Sequence, residues 1–209
     1  MTVLTLMILS LMYARSPEDV RFVLIDPSMV ELTFMFANLS NSYLPDLPGL
    51  YEKKAVVSDA ELAEKTLESL CVEMEARLKK SKSRPYIVVV VDEYGDLVAR
   101  GPKSVQIMSS IIKLAQHGKD AGIHLMISTC RLCVDIVTGV IKANFPVRIA
   151  LRTTTAIDSQ TILDCRGAEK LAGNGDALLS CGTELWRIHV PYISLVEIPK
   201  CERQNPQYG

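Results

Sequence analysis

The sequence predicts an α/β protein with a mainly parallel sheet, helices on both faces and a short antiparallel hairpin near the carboxyl end. The uninterrupted β-branched run at residues 87–91 is typical of an interior strand that is buried on both faces. Apolar runs alternate with segments of helical length through most of the chain, which favours right-handed parallel connections. Near the end, Cys181-Gly182-Thr183 separates two short strand-like runs as a hairpin turn would.

The first part of the chain predicts a helix, a strand and a loop. Residues 2–14 are apolar and predict a buried helix. They lack the basic residues that begin a signal peptide and are too short to span a bilayer. A targeting role is the alternative. Residues 20–25 predict a strand that Asp26-Pro27 ends, because proline stops the strand and Asp26 caps the turn. Residues 28–51 predict an irregular surface loop, since prolines and a glycine interrupt them.

The middle of the chain predicts two helices around the central strand. Residues 55–57 predict a short strand, and the capping-box spacing of Ser58 and Glu61 predicts a helix that continues to about Lys80. A second helix is expected over residues 103–117. Its predicted inner side comprises Val105, Met108, Ile111, Ile112 and Ala115.

The last part of the chain predicts further strands. Residues 123–128 predict a buried strand, and the pattern through residues 134–137 and 147–151 predicts another helix and another parallel strand. A helix at 157–164 and short strands at 176–180, 185–190 and 193–198 follow. The expected domain covers residues 1–198, and the polar residues 199–209 predict a flexible tail.

Length, charge and cysteine content limit the possible functions of the chain. A chain of 209 residues fits one α/β domain. The net charge of −1 provides no global attraction to nucleic acid, so DNA binding would need a local basic patch. Six cysteines without a secretory leader indicate a reducing, cytoplasmic compartment.

Two acids, Asp92 and Glu93, follow the central strand directly. Ligands of open α/β sheets bind outside the carboxyl ends of the strands, so these acids can reach a metal-nucleotide complex. This is the arrangement of a Walker B strand, in which Asp92 would hold Mg²⁺ through water and Glu93 would polarise the attacking water. The alternative is a central strand that ends in a solvated acidic turn.

Other chemistry-bearing residues carry weaker signals. Cys130 and Cys133 form a Cys-x-x-Cys pair after a strand and before an expected helix. A redox pair with a lowered thiol pKa would lie at such a place. The alternative is that the pair consists of two small residues without a role. A zinc site would need a second such pair. His124 is expected to pack within a buried strand. The basic residues at 79–84 are expected to form a solvated helix end, with a phosphate contact as the alternative.

Several stretches, in order along the chain, resemble the motor domain of the FtsK/SpoIIIE family of double-stranded-DNA translocases. They are residues 20–27, 85–97, 121–125, 134–146, 157–164 and 173–179. The resemblance implies a RecA-like P-loop ATPase core that uses ATP and Mg²⁺, assembles as a hexameric homo-oligomer and moves DNA in chromosome segregation and cell division. It also implies a cytoplasmic domain, which in family members is often tethered to the membrane by a separate domain.

The chain departs from the family where phosphate is bound. No Gly-x-x-x-x-Gly-Lys-Ser/Thr sequence occurs, and Met1 aligns with the Mg²⁺-binding hydroxyl that follows the Walker A lysine. Ser28 stands where the family has lysine after Asp-Pro.

Departures also occur at positions that the resemblance assigns to catalysis and to DNA. Lys119 aligns with an arginine that reaches a neighbouring subunit's nucleotide, and lysine lacks the planar fork of arginine. Cys130 replaces a sensor glutamine. Arg131 follows it as in the family, and the resemblance implies that Arg131 helps to bind the nucleotide. Ala156 and Gln160 replace the basic residues that face DNA in the pore of the ring.

These observations predict an incomplete copy of a translocase motor that is inactive in isolation. Whether it belongs to an enzyme is left open, because the family is a DNA-translocating ATPase whereas this chain lacks the Walker A lysine. The alternative is a non-catalytic scaffold or binding module with the RecA fold. A third interpretation is a thiol redox protein that uses Cys130 and Cys133.

Overall fold

The structure is a computed structural model that describes residues 3–50, 54–81, 83–99 and 103–192. The chain forms two compact units, of which the first extends to Cys130 and the second comprises Arg131–Tyr192.

A four-stranded parallel sheet forms the centre of the first unit. Its strands are β1 (Val20–Ile25), β2 (Val56–Val57), β3 (Tyr86–Val91) and β4 (Ile123–Ile127), in the order β2-β1-β3-β4. β3 has a parallel partner on each side, and its five apolar residues after Tyr86 are all buried, as β-branched side chains without alternation predict. The predicted interior strand is therefore confirmed.

Helices cover this sheet. They are α1 (Val3–Ala14), α2 (Glu31–Phe36), α3 (Ala60–Lys79), α4 (Tyr94–Ala99) and α5 (Ser104–His117). One core cluster joins the sheet to α1 and α2, and includes Leu4, Ile8, Phe22, Leu24, Leu32, Phe36, Val88 and Val90. Strand residues of the opposite parity, including Val23, Ile25, Val89 and Val91, are also buried, so both faces are covered, as predicted.

The second unit is a small antiparallel sheet with two helices. It contains α6 (Gly139–Asn144), β5 (Val147–Leu151), α7 (Ala156–Leu163), β6 (Asp176–Cys181) and β7 (Glu184–His189), and the strand order is β5-β6-β7. Its core includes Ala150, Leu163, Ala168 and Leu171. The predicted hairpin between β6 and β7 is confirmed, and Gly182 in the turn has a positive φ of 63°.

The prediction that residues 147–151 extend the parallel sheet was wrong. β5 pairs antiparallel with β6, from Val147 opposite Cys181 to Leu151 opposite Ala177. A short apolar run specifies burial but not the direction of its partner, so the sequence pattern was compatible with either sheet.

Local predictions needed four corrections. The predicted loop at 28–51 contains α2, because Leu32 and Phe36 supply a buried helical face. The amino-terminal cap of α3 is Asp59, which accepts the Leu62 N–H, rather than Ser58. α4 was not predicted. The buried side of α5 comprises Ile107, Ile111 and Leu114, whereas Val105 is exposed.

The expectation that His124 packs within a buried strand was wrong. His124 is exposed, because β4 is an edge strand among the described residues, and its ring lies 5.7 Å from that of Tyr86. The predicted strand at 193–198 and tail at 199–209 lie outside the described residues. No helix within the described ranges has both the length and the apolar character needed to cross a bilayer.

Candidate functional site

The candidate site lies at the carboxyl edge of the parallel sheet. β1, β3 and β4 end at matched positions, because Ile25 pairs with Val91 and Val91 pairs with Ile127. The next residues on these strands are Asp26, Asp92 and Ser128, and the ladder continues through them: Asp92 N donates to Ile25 O at 2.9 Å, and Ser128 N donates to Val91 O at 2.9 Å. Three polar side chains therefore meet at the edge where α/β proteins bind ligands.

Asp92 is buried, with 6% of its surface exposed, and its carboxylate accepts a hydrogen bond from Ser128 Oγ. Burial raises the pKa of Asp92, the bond from Ser128 opposes that rise, and the negative charges of Asp26, Glu31 and Glu93 add to it. A cation at this edge would relieve the repulsion among these carboxylates.

Asp26 is buried but well supplied with donors. Its carboxylate accepts from Ser28 Oγ at 2.6 Å, from Thr33 N at 3.0 Å and from Thr33 Oγ1 at 3.0 Å. Burial by itself would raise the pKa of Asp26, but the hydrogen bonds from Ser28 and Thr33 outweigh it and the pKa is lowered. Asp26 therefore stays ionised and anchors α2 beside the acid pair.

Glu93 adopts an unusual backbone conformation, with φ of +49°. Residues other than glycine rarely occupy this region, and such residues concentrate at functional sites. The Glu93 N–H donates to Ser128 Oγ at 3.2 Å, and Glu93 Oε2 accepts the Cys130 N–H at 3.1 Å. The carboxylate is thus turned toward the segment that follows β4.

Cys130 is exposed and its thiol is hydrogen-bonded to Glu93. That bond, together with burial and the nearby carboxylates, raises the pKa of Cys130 to about 11. Both Cys130 and Cys133 are free, and the Cys133 carbonyl accepts from Ile136 N and Val137 N in a turn, with α6 beginning only at Gly139. The expectation of a low-pKa thiol at a helix amino terminus is therefore wrong, because the carboxylate beside the sulfur disfavours the thiolate.

Lys119 is placed at the other end of the sheet. It lies in a 3₁₀ turn, Gly118–Ala121, that precedes β4, so the length of the strand, about 16 Å, separates it from the acids. Arg77 holds this turn, since its guanidinium donates to Ala121 O at 3.3 Å and to Pro85 O at 2.7 Å. Lys119 is exposed and cannot act on a ligand bound to the acids of its own chain.

The remaining predicted positions lie in the second unit. Ala156 and Gln160 are one turn apart on α7, where Ala156 is half-buried and Gln160 is exposed. Thr155 caps this helix, and its side chain and that of Asp158 bond reciprocally to each other's backbone N–H. Arg131 is exposed at the start of this unit.

The carboxylate oxygens of the acid pair, Asp92 and Glu93, suit a Mg²⁺ ion that takes most of its ligands from elsewhere. Within the described ranges, no group of three or more histidine, cysteine or acidic residues is arranged to bind a metal. Mg²⁺ prefers oxygen ligands and is commonly held by one or two carboxylates together with waters and substrate phosphates. Asp92 and Glu93 fit that incomplete role.

Sequence reasoning missed the part of Ser128 and of Thr33 in this site. Ser128 offered a signal, because a polar residue that ends a strand beside the acid-bearing strand must lie at the same edge. Thr33 offered none, since its contact with Asp26 depends on a short helix within a segment that the pattern marks as a loop.

Comparison with known proteins identifies the family. The sequence model of the FtsK/SpoIIIE family matches residues 2–82 and 78–134. DNA translocase FtsK of Chlorobaculum tepidum is 40% identical over 93% of this chain, which covers 26% of that protein. DNA translocase FtsK of Helicobacter pylori is 37% identical, again over 93% of this chain and 24% of that protein. The chain thus spans about a quarter of the length of the curated relatives it matches.

Solved structures share the fold. The pCW3 conjugation coupling protein TcpA, in a monomer form with ATPgS, superposes with a TM-score of 0.72 at 23% identity, over 94% of this chain and 60% of that one. The cytoplasmic domain of the type VII secretion ATPase EccC of Thermomonospora curvata gives a TM-score of 0.76 at 22% identity, over 99% of this chain and 26% of that one. The chain therefore has the RecA-like P-loop ATPase fold and belongs to the FtsK/SpoIIIE family.

Proposed function

We propose that this chain is part of the motor of an ATP-dependent double-stranded-DNA translocase that serves chromosome segregation and cell division. The observation that carries the proposal is the acid pair Asp92-Glu93 at the carboxyl end of the interior strand β3, in a chain of the FtsK/SpoIIIE family. Relatives that share 37–40% identity with the chain are DNA translocases by name.

The two acids would divide the work on the nucleotide. Asp92, held by Ser128, would bind Mg²⁺ through water, and the metal would neutralise charge on the phosphates. Glu93 would orient and polarise the attacking water, with its backbone fixed by Ser128 and its carboxylate turned toward Cys130.

Nucleotide binding needs a phosphate cradle in addition to the acids. The 209 residues contain no glycine-rich loop with a lysine that could hold the β- and γ-phosphates. We therefore expect the chain in isolation to bind ATP weakly and to hydrolyse it at background rates.

The position of Lys119 favours action between subunits. It lies about 16 Å from the acids of its own chain, at the opposite edge of the sheet, so a nucleotide that it contacts would be bound by another copy. Such head-to-tail contacts close into a ring when the rotation permits, and a hexamer would be expected from the family. The DNA contact on α7 would be weak, because Ala156 and Gln160 carry no charge.

The described cysteines are all free, which favours a reducing compartment. We propose a cytoplasmic location for this part of the protein.

The test is DNA-stimulated phosphate release by two forms of the chain. One is the 209-residue chain. The other, which we call the loop-bearing chain, carries the phosphate-loop segment of the Chlorobaculum tepidum relative in front of the same residues. We expect release above background only in the second form, and a loss of at least about a hundredfold in its Glu93→Gln variant. Equal release by the second form and its Glu93→Gln variant would refute the assignment.

A second candidate is a non-catalytic scaffold that occupies a place in such a ring. The contact between the Cys130 thiol and Glu93 favours it, because the carboxylate that should activate water already accepts from both the thiol and the N–H of Cys130. Replacing Cys130 with alanine separates the two candidates. If the loop-bearing chain stays inactive with Cys130→Ala and still joins rings of an intact relative, the scaffold explains the protein better.

A further inference from the structure

Ser128 contacts four consecutive residues around the acid pair. Its N–H donates to Val91 O at 2.9 Å, and its carbonyl accepts the Tyr94 N–H at 2.8 Å. Its hydroxyl donates to the Asp92 carboxylate and accepts the Glu93 N–H at 3.2 Å. One residue therefore binds the end of β3, both acids and the first turn of α4.

The two hydroxyl contacts have different consequences from the two backbone contacts. Any residue at position 128 could make the backbone bonds, which continue the parallel ladder from Val91. The Ser128 hydroxyl does what an alanine side chain cannot, because its single oxygen donates to the buried carboxylate of Asp92 and accepts from the N–H of Glu93. The Glu93 N–H that donates to this hydroxyl belongs to a backbone with φ of +49°, a conformation that needs support from its surroundings.

We propose that Ser128 is the positioning residue of the acid pair, whose hydroxyl fixes the carboxylate of Asp92 and the left-handed backbone of Glu93 in one orientation. This inference rests on the proposed function for its catalytic meaning, but its geometric content is independent of ATP hydrolysis. Without the hydroxyl, the Asp92 carboxylate loses a donor and the backbone of Glu93 loses a partner, while the sheet keeps its ladder.

The experiment compares Ser128→Ala and Ser128→Thr with the wild-type chain. Amide hydrogen exchange and amide chemical shifts are measured by NMR for Glu93 and Tyr94, without nucleotide or metal. In Ser128→Ala we expect exchange at Glu93 to accelerate about tenfold and its amide shift to move upfield, because it loses its acceptor. Tyr94 should keep its protection, since it bonds to the backbone carbonyl, and Ser128→Thr should restore the Glu93 signal.

A second readout connects the geometry to the proposed chemistry. Binding of Mn²⁺ with ATP to the loop-bearing chain is followed by water-proton relaxation, with Asp92→Asn as the reference for a lost ligand. We expect Ser128→Ala to weaken binding about tenfold and Ser128→Thr to leave it within about twofold of wild type.

The outcomes separate the two hypotheses. Unchanged Glu93 exchange in Ser128→Ala overturns the positioning role, and so does full Mn²⁺ affinity in Ser128→Ala where Asp92→Asn has lost it. If Asp92→Asn binds Mn²⁺ with ATP as tightly as wild type, the proposed function fails, and the Glu93 amide alone then decides the role of Ser128. Should Ser128→Ala not fold, Ser128→Cys, which is nearly isosteric and a weaker donor, is expected to show the same change at Glu93.

Discussion

Arg77 supplies the sharpest test of how the first unit is held together. Its side chain is buried, with 5% exposed, near the end of α3. The guanidinium donates to Glu73 Oε1 at 2.7 Å, to Pro85 O at 2.7 Å and to Ala121 O at 3.3 Å. It thus ties α3 to the loop before β3 and to the turn that carries Lys119. Arg77→Met keeps most of the apolar stem and removes all three bonds.

The expected cost follows from what the substitution leaves behind. Removing one partner of a buried ion pair typically costs about 3–5 kcal/mol, and each carbonyl left unpaired adds to it. The Glu73 side chain is 21% exposed, so water can partly replace its lost partner. We therefore expect Arg77→Met to lower the free energy of unfolding by about 2–4 kcal/mol.

The assay is urea denaturation of the purified chain, followed by far-ultraviolet circular dichroism. With a slope near about 2 kcal/mol per molar urea, the midpoint should fall by about 1–2 M. The matched control is Lys65→Met on the same helix, which breaks the pair with Glu61 at the same i,i+4 spacing, with 59% and 61% of these side chains exposed. An exposed pair contributes at most about 1 kcal/mol, so this midpoint should barely move. Equal losses in the two variants would refute the assignment of Arg77 as a buried tie.

Three further predictions rest on other parts of the chain. Gly122→Ala should destabilise the first unit by more than about 3 kcal/mol in urea denaturation, because a Cβ there would lie 1.9 Å from the backbone oxygen of Ser83. The control is Gly49→Ala, which also has a positive φ but lies in open space and should cost about 1 kcal/mol. Similar losses in the two variants would contradict the steric argument. Iodoacetamide should alkylate Cys130 at pH 8 about a hundredfold more slowly than free cysteine, because the pKa of the Cys130 thiol is raised to about 11. Glu93→Gln should speed the reaction, because it removes the carboxylate that raises this pKa. A fast reaction in the wild-type chain would show that the thiol does not bind the carboxylate. The pKa of Asp176 is lowered to about 2 by hydrogen bonds from Arg187, so its stabilisation is present above the unfolded value of 3.8 and is lost as the pH falls toward 2. Because Asp26 also has a lowered pKa, Asp176→Asn should reduce the acid-range fall in melting temperature rather than abolish it, and an unchanged fall would contradict the pairing.

The sequence predicted the interior of the first unit well, and the reason is physical. A β-branched run without alternation is compatible with few environments other than an interior strand, and the acids that follow it lie at the ligand edge. The helix at α3 was also predictable, because its apolar stripe spans five turns.

The parts that could not be predicted depend on partners rather than on local pattern. Val147–Leu151 reads equally well as a parallel or an antiparallel strand, and its pairing with β6 decides between them. The inward side of α5 was misjudged, because its apolar residues cover about half of the helix circumference. The core contacts the edge that carries Ile107, Ile111 and Leu114, whereas Val105 lies at the opposite edge and is exposed. The contact of Ser128 with Asp92 follows from the register of β3 and β4, which the sequence does not specify.

We expect Asp92 and Glu93 to face the metal and the terminal phosphate of a bound nucleotide. The most direct measurement is a crystal structure of the loop-bearing chain with Mg²⁺ and a non-hydrolysable ATP analogue. We expect the metal to lie about 4 Å from an Asp92 carboxylate oxygen, with one water between them, and Glu93 to lie beside the terminal phosphate. A nucleotide bound away from the carboxyl edge of β3, with neither acid near its phosphates, would rule out the proposed roles of both acids.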